Sequence, residues 1–270
     1  MKVVILCGGL GTRLREETEY RPKPMVDVGG KPILWHIMKI YAHHGFTDFV
    51  LCLGYRGSVI KQYFLDYEPM VNNFSITLGK DNGQIKYHNE HNEKSFVVTL
   101  VETGLETLTG GRLKRVQLYI PDDTFMMTYG DGLANIDIRK LVDFHFSHGR
   151  IATVTAVRPT SRFGKLEIDS DETVGQFTEK PLADAWINGG FFVFNRKVFD
   201  YLDDDGALEQ EPLKNLARDG QLKAFRHTGF WHAMDTYREY LYLNELWNQQ
   251  QAEWRIWDSE ESTGASAGSL

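Results

Sequence analysis

Lys2-Val3-Val4-Ile5-Leu6-Cys7-Gly8-Gly9-Leu10-Gly11-Thr12-Arg13 runs from an apolar stretch without polar alternation into three glycines within four positions. An uninterrupted apolar run of this length reads as a strand buried on both faces, as in a parallel sheet covered by helices. From Pro32 to Gly45 the pattern changes to a helical one. Ile33, Leu34, Ile37, Ile40 and Tyr41 share one face, proline is tolerated at the first helical position, and glycine suits the C-terminal cap. Phe49 to Leu53 is a second buried strand. Strand, loop, helix, strand is a βαβ unit, so the expected class is α/β: a Rossmann-like, mostly parallel sheet flanked by helices.

Two features should decorate this core. From about Asn73 to Val101 the period becomes two: Phe74, Ile76 and Leu78 alternate with polar residues, Asp81-Asn82-Gly83 supplies a turn, and Ile85 and Tyr87 resume the alternation. This predicts an antiparallel hairpin excursion within about residues 66–120. The βα rhythm returns with a strand at Phe125 to Tyr129, a helix from Ile138 to His148 before Gly149, and a strand from Ala152 to Val157. Near the end, Thr236 to Trp257 reads as an aromatic-rich, C-terminal helical segment used for packing. Residues 1–257 are thus expected to form one domain, and the small, polar residues 258–270 a disordered tail.

The 270 residues carry a formal charge of -7. No basic field of the kind nucleic acid requires is available, so no nucleic-acid partner is expected, and a polyanionic substrate must meet local positive charge. No apolar run approaches the ~18 residues of a membrane span, and the chain starts directly on a strand pattern without a secretory leader. The expectation is a cytoplasmic protein without a membrane partner. Cys7 and Cys52 each lie inside an apolar run, which predicts buried thiols.

The glycine loop follows the first strand at its carboxyl end, where open α/β sheets bind ligands. Glycines let the backbone approach a triphosphate with its N–H groups aimed at the oxygens, and Arg13 adds a planar charged fork. On the glycines alone, a tight strand-to-helix turn explains the stretch equally well. The loop lacks the lysine and hydroxyl residue of a Walker A motif, and Leu14 stands where the dinucleotide fingerprint requires glycine or alanine.

Asp131 lies between Gly130 and Gly132 after the strand Phe125 to Tyr129. Alone, such a tripeptide is a turn more often than a metal site; a strand end facing a triphosphate reverses that and favours a metal. Asp235, in Met234-Asp235-Thr236, reads by itself as the cap of the following helix. His88 with His91 and His145 with His148 lack cysteine or carboxylate company at zinc spacing, and are taken as surface or packing residues.

Gly8-Gly9-Leu10-Gly11-Thr12-Arg13-Leu14, Glu16-Glu17-Thr18 and Arg21-Pro22-Lys23-Pro24-Met25 together resemble the N-terminal signature of the sugar-phosphate nucleotidylyltransferases. Trp35-His36-Ile37-Met38-Lys39, Thr109-Gly110-Gly111-Arg112-Leu113-Lys114-Arg115, Thr128-Tyr129-Gly130-Asp131-Gly132, Glu179-Lys180-Pro181, Ile187-Asn188-Gly189-Gly190, Glu209-Gln210-Glu211-Pro212-Leu213 and Met234-Asp235-Thr236 are similar to segments of its cytidylyl branch. The likeness extends over roughly residues 1–257. It implies CTP and glucose 1-phosphate as substrates, Mg²⁺ as cofactor, a nucleotide sugar for deoxysugar or surface-polysaccharide synthesis as product, and a homo-oligomer.

The resemblance also implies roles. Arg13, Lys23 and Asp131 would be catalytic. Leu6, Cys7, Gly8, Gly9, Leu10, Gly11, Thr12, Arg13, Lys23, Thr107, Arg112 and Gly130 would bind the nucleotide, with Thr107 near the base and Arg112 near base or phosphate. Lys180, Asn188 and Gly189 would bind the sugar phosphate, and Asp131 with Asp235 the metal. Prolines on both sides of Lys23 should hold its backbone extended. Cys7 replaces the family's usual alanine, and Leu105 to Leu108 are less typical, which puts base selectivity in question.

In this reading a sugar-phosphate oxygen, already largely ionised at neutral pH with a second pKa of about 6, is the nucleophile. No serine, cysteine or general base is then needed; positioning and charge neutralisation carry the reaction. Two other readings are a regulator that binds sugar nucleotides without catalysis and a nicotinamide oxidoreductase. Leu14 weakens the second, and the joint presence of Arg13, Lys23, Asp131, Lys180 and Asp235 argues against the first.

Overall fold

In the computed structural model the described residues are 1–79, 84–89, 91, 93, 95–160, 163–179 and 182–258. Lys180, the Asp81-Asn82-Gly83 turn and the tail from residue 259 lie outside them. The first strand, β1 (Val3–Leu6), is followed after the glycine loop by helix α1 (Ile33–His43) and strand β2 (Asp48–Leu53). β1 and β2 pair in parallel with Val3 opposite Phe49 and Leu6 opposite Cys52, as a βαβ unit requires.

Helix α2 (Gly57–Leu65) then leads towards strand β3 (Val97–Glu102), which pairs in parallel with β2. Helix α3 (Thr109–Arg115) precedes strand β4 (Thr124–Tyr129), the parallel neighbour of β1 on its other side. After helix α4 (Ile138–His148) come strands β5 (Ala152–Val157), β6 (Ile187–Asn188) and β7 (Phe192–Asn195). Helix α5 (Glu211–Arg218), strand β8 (Leu222–Arg226) and helix α6 (Tyr237–Asn248) complete the chain.

The central sheet runs β6-β5-β7-β4-β1-β2-β3, with β8 also paired to β5. It is mixed: β7 is antiparallel to both β4 and β5, whereas β8 is parallel to β5. Alternate residues of β1 enter opposite cores. Val3 and Ile5 pack with α1 residues and Trp254, while Val4 and Leu6 pack with Leu113, Phe125 and Phe199. This two-sided burial explains the unbroken apolar run.

The excursion differs from its expected extent. Phe74–Ile76 and Ile85–Tyr87 do pair antiparallel, but Val97 to Val101 belong to the parallel strand β3. β3 is an edge strand whose residues are mostly only part-buried, so it lacks the fully buried run that marks β1 and β2, and it follows directly on the alternating stretch. The C-terminal segment also breaks. α6 stops at Asn248, Gln250 takes φ 59°, and Trp254 folds back to full burial against His36.

Lys23 is likewise not extended. Pro22 is extended, but Lys23–Met25 forms one 3-10 turn, with Met25 N donating to Pro22 O and Val26 N to Lys23 O. Pro24 fits there because the first residues of a helical turn have no N–H acceptor to satisfy.

Candidate active site

β1 and β4 end side by side, and the loops after them form one face of a cleft of about 370 Å³. Its wall contains Leu6, Cys7, Gly8, Gly9, Gly11, Thr12, Arg13, Lys23, Thr107, Arg112, Gly130, Asp131 and Asp235. Of the residues expected to bind nucleotide, Leu10 alone is not part of this wall; it is 46% exposed. Pro24, Leu108, Thr109 and Tyr129 also line the cleft. The sequence offered a signal for Thr109 and Tyr129, which belong to the motifs quoted above, but gave neither a role.

The glycines are explained by close approaches. A Cβ on Gly8 would lie 2.0 Å from an Arg112 nitrogen, and one on Gly130 would lie 2.8 Å from Leu6 O and from Pro24. Gly11 has φ +63°, a conformation that L side chains rarely adopt. Thr18 closes the loop from behind, its hydroxyl donating to Gly11 O and Leu14 O.

Asp131 and Asp235 meet because two short strands bring them together. Gly132–Ala134 pairs antiparallel with Trp231–Ala233, and Met234 N donates to Asp131 O. Asp235 is not the helix cap that its sequence context suggests. Thr236 is the N-cap of α6, and Glu239 completes a capping box by accepting from Thr236 N.

The Lys23 ammonium lies between the two carboxylates, donating to Asp131 Oδ2 at 2.5 Å and to Asp235 Oδ1 at 2.7 Å. Arg13, with its side chain 74% exposed, adds a bond to Asp235 Oδ2 at 3.3 Å. Burial alone would lower the Lys23 pKa, but the two carboxylates outweigh it and raise the value, so the ammonium keeps its proton. Both acidic oxygens are within hydrogen-bond reach of one atom, the Lys23 Nζ. The donor set is all oxygen and partly open to solvent, and no cluster of three acidic, histidine or cysteine groups fit for a metal occurs among the described residues. Carboxylate oxygens are the donors a hard divalent cation takes, with water and phosphate completing its shell.

Arg112, expected to contact the nucleotide, lines the cleft and is also bonded extensively within the protein. Only 4% exposed, it donates through one terminal nitrogen to Leu53 O, Thr103 Oγ1 and Gly104 O, and through the other to Gly8 O and Leu105 O. Both terminal nitrogens are committed to the protein. They tie the glycine loop to the 103–108 loop. Thr107 is held in turn by Arg115, which donates to its hydroxyl at 2.7 Å.

Asn188 and Gly189 lie beside the cleft, not in its wall. Asn188 Nδ2 donates to the Tyr129 hydroxyl at 3.1 Å, and Gly189 O accepts from Trp231 Nε1 at 2.8 Å. Both cysteines are buried, which pushes the Cys52 thiol up to about 12 and that of Cys7 well above its usual range. They are neutral packing groups.

A profile of nucleotidyl transferases matches residues 2–245. The chain belongs to the nucleotidyl transferase family. It is 51% identical to a probable glucose-1-phosphate cytidylyltransferase of Bacillus subtilis, across 95% of this chain and the whole of that protein. It is 52% identical to the glucose-1-phosphate cytidylyltransferase of Salmonella typhi, across 96% of this chain and again all of the relative. HddC from Yersinia pseudotuberculosis, solved in complex with GMP-PN, superposes with a TM-score of 0.65 at 25% identity, covering 91% of this chain and 99% of that one. The glycine loop, Lys23 and Arg13 line one cleft at the sheet edge.

Proposed function

We propose that this transferase moves the cytidylyl group of CTP to α-D-glucose 1-phosphate, giving CDP-glucose and pyrophosphate. The observation that carries the reading is the meeting of Lys23, Asp131 and Asp235 beside the glycine loop, in a chain about half identical to two cytidylyltransferases over nearly its whole length. A phosphate oxygen of the sugar phosphate attacks the α-phosphorus of CTP, a new P–O bond forms, and the bond to the β-phosphate oxygen breaks with its electron pair leaving on pyrophosphate. No proton need be removed from the nucleophile at neutral pH.

In this reading the glycine loop and Arg13 orient the triphosphate, and Lys23, protonated throughout, faces the charge that grows on the phosphoryl oxygens. Lys180 with Asn188 and Gly189 takes the sugar phosphate, and Thr107 faces the base. Asp131 and Asp235 hold Mg²⁺, whose chemistry is to neutralise charge on the phosphates. Residues 1–257 act as one catalytic unit, assembled as a homo-oligomer in the cytoplasm; no helix among the described residues is long and apolar enough to cross a membrane.

Pyrophosphate release from a panel of CTP, UTP, dTTP and GTP, each with glucose 1-phosphate and Mg²⁺, tests the reading. CTP is expected to be turned over preferentially. Preference for another triphosphate removes the cytidylyl assignment, and no pyrophosphate from any pair removes catalysis.

A further inference from the structure

One exposed carboxylate joins the hydroxyls of two residues that line the cleft. Tyr129 donates to Glu209 Oε1 at 2.5 Å, and Thr109 donates to Glu209 Oε2 at 2.6 Å. Tyr129 ends β4 and Thr109 opens α3, whereas Glu209 comes from the segment just before α5. Glu209 is not itself in the cleft wall.

Each hydroxyl has a second partner on its own side. The Tyr129 oxygen accepts from Asn188, whose Oδ1 accepts from Gly190 N at 2.9 Å. A Cβ on Gly190 would lie 3.1 Å from the Tyr129 ring, so that turn and the ring are in close register. The Thr109 oxygen accepts from Leu208 N at 2.9 Å, and Gly111 N donates to Gly206 O at 3.0 Å. α3 therefore rests on the segment that carries Glu209, and α3 also carries Arg112, which holds Gly8, Gly104 and Leu105 in place.

We propose that Glu209 is a positioning residue that couples the sugar-phosphate end of the cleft, through Tyr129 and Asn188, to its nucleotide end, through Thr109 and α3. The inference rests on the function proposed above, because it assigns the two ends by their substrates. The carboxylate accepts from both hydroxyls at once, and charge-assisted bonds of this kind are short and stiff. It fixes the phenol proton away from Asn188 and fixes the first turn of α3 relative to the end of β4. An amide has one accepting oxygen and a donating nitrogen, so glutamine at this position loses one arm.

Steady-state kinetics of wild type, Glu209→Gln, Tyr129→Phe and the double variant, with pyrophosphate as readout, test the coupling. Glu209→Gln should raise KM for both glucose 1-phosphate and CTP by about tenfold, with kcat changed by no more than about threefold. Tyr129→Phe should raise mainly the sugar-phosphate KM, and the double variant should be no worse there than the worse single, since linked groups act as a unit. Unchanged KM values for Glu209→Gln, or additive losses in the double variant, overturn the proposal. So does a lowered melting temperature with both KM values intact, which is the mark of a merely structural tie. If Glu209→Gln does not fold, Thr109→Val, which cuts only the nucleotide-side arm, must raise the CTP KM for the proposal to stand. A wild type that turns over its substrates beside an indistinguishable Glu209→Gln sinks the coupling alone, whereas an inactive wild type sinks the proposed function and the coupling with it.

Discussion

The Nζ of Lys23 lies 2.5 Å from Oδ2 of Asp131, although 108 residues separate them in the chain. Lys23 reaches the carboxylate from the 3-10 turn at residues 23–25, and Asp131 from just beyond the end of β4. Asp235 enters through the ladder between Gly132–Ala134 and Trp231–Ala233, which makes the ammonium the common partner of two carboxylates. With Arg13 also bonded to Asp235, two positive side chains meet two carboxylates at this point.

The carboxylate pair should act as a unit. Asp131→Asn or Asp235→Asn should each lower pyrophosphate release by about a hundredfold or more while leaving the fold intact, because a divalent ion contributes several kcal/mol to charge stabilisation and ~1.4 kcal/mol is tenfold in rate. The double variant should lose little beyond the worse single one. Isothermal titration of Mg²⁺ in the presence of CTP checks the cause independently of turnover. Additive losses would assign the two residues separate roles.

Lys23→Ala and Arg13→Ala should both lose mainly kcat, but unequally. Lys23 is 14% exposed and faces two charges, whereas Arg13 is 74% exposed and screened by solvent. About a hundredfold or more is expected for Lys23→Ala, as for removal of one donor to a developing charge, and about tenfold for Arg13→Ala. Equal effects on kcat would contradict the difference in burial, and unchanged kinetics in both would place the chemistry elsewhere.

Acid should destabilise the protein through His36. The ring is fully buried, its Nε2–H donates to Val28 O at 2.8 Å, and its Nδ1 accepts from Trp254 at 3.3 Å, which requires the neutral form. Burial pushes its pKa down to about 4, with Arg255 and Lys31 adding repulsion to the charged form. Between pH ~6.5 and ~4 the unfolded chain binds a proton that the folded chain refuses, so stability falls as pH falls through that window, by up to about 3 kcal/mol. His36→Gln keeps one donor and one acceptor but does not titrate. Its urea midpoint should depend less on pH over that range, and an unchanged slope would rule out His36 as the group responsible.

What was legible beforehand follows physical periodicity. The β1-α1-β2 unit announces itself because Val3 to Leu6 and Phe49 to Leu53 are buried on both faces and α1 on one. The edge strand β3 did not, since its part-exposed residues lack that full burial and it follows directly on an alternating stretch. The site was legible only where chemistry is local: the glycine loop by its glycines, Asp131 by its strand end. Asp235 joined it in the reading by resemblance alone, because a three-residue ladder has no periodic signature. The coupling of Tyr129 to Glu209 and Thr109 was invisible, since no rule of spacing links residues 80 and 100 positions apart.

Arg112 gives the sharpest separation of structural from ligand-binding roles. An arginine in a nucleotide pocket is ordinarily read as a phosphate ligand, yet its terminal nitrogens already meet five protein acceptors in a 4% exposed position. Leu53 O and Gly8 O have other donors, from Thr103 and Tyr55, so the acceptors that depend most on Arg112 are Gly104 O and Leu105 O. Both belong to exposed residues, where water can take over part of the bond, so losing each costs about 0.5–1.5 kcal/mol. Arg112→Met should therefore lower the melting temperature by roughly 2–12 °C in a chain of this size. Arg112→Lys should recover little, because one ammonium cannot span the acceptors that a planar fork reaches. Thermal melts and CTP titrations on the same samples decide the matter. If Arg112→Met melts within a degree of wild type and loses CTP affinity, the guanidinium serves the nucleotide after all; if stability falls first and affinity follows it, the residue is the brace between the phosphate loop and the 103–108 loop.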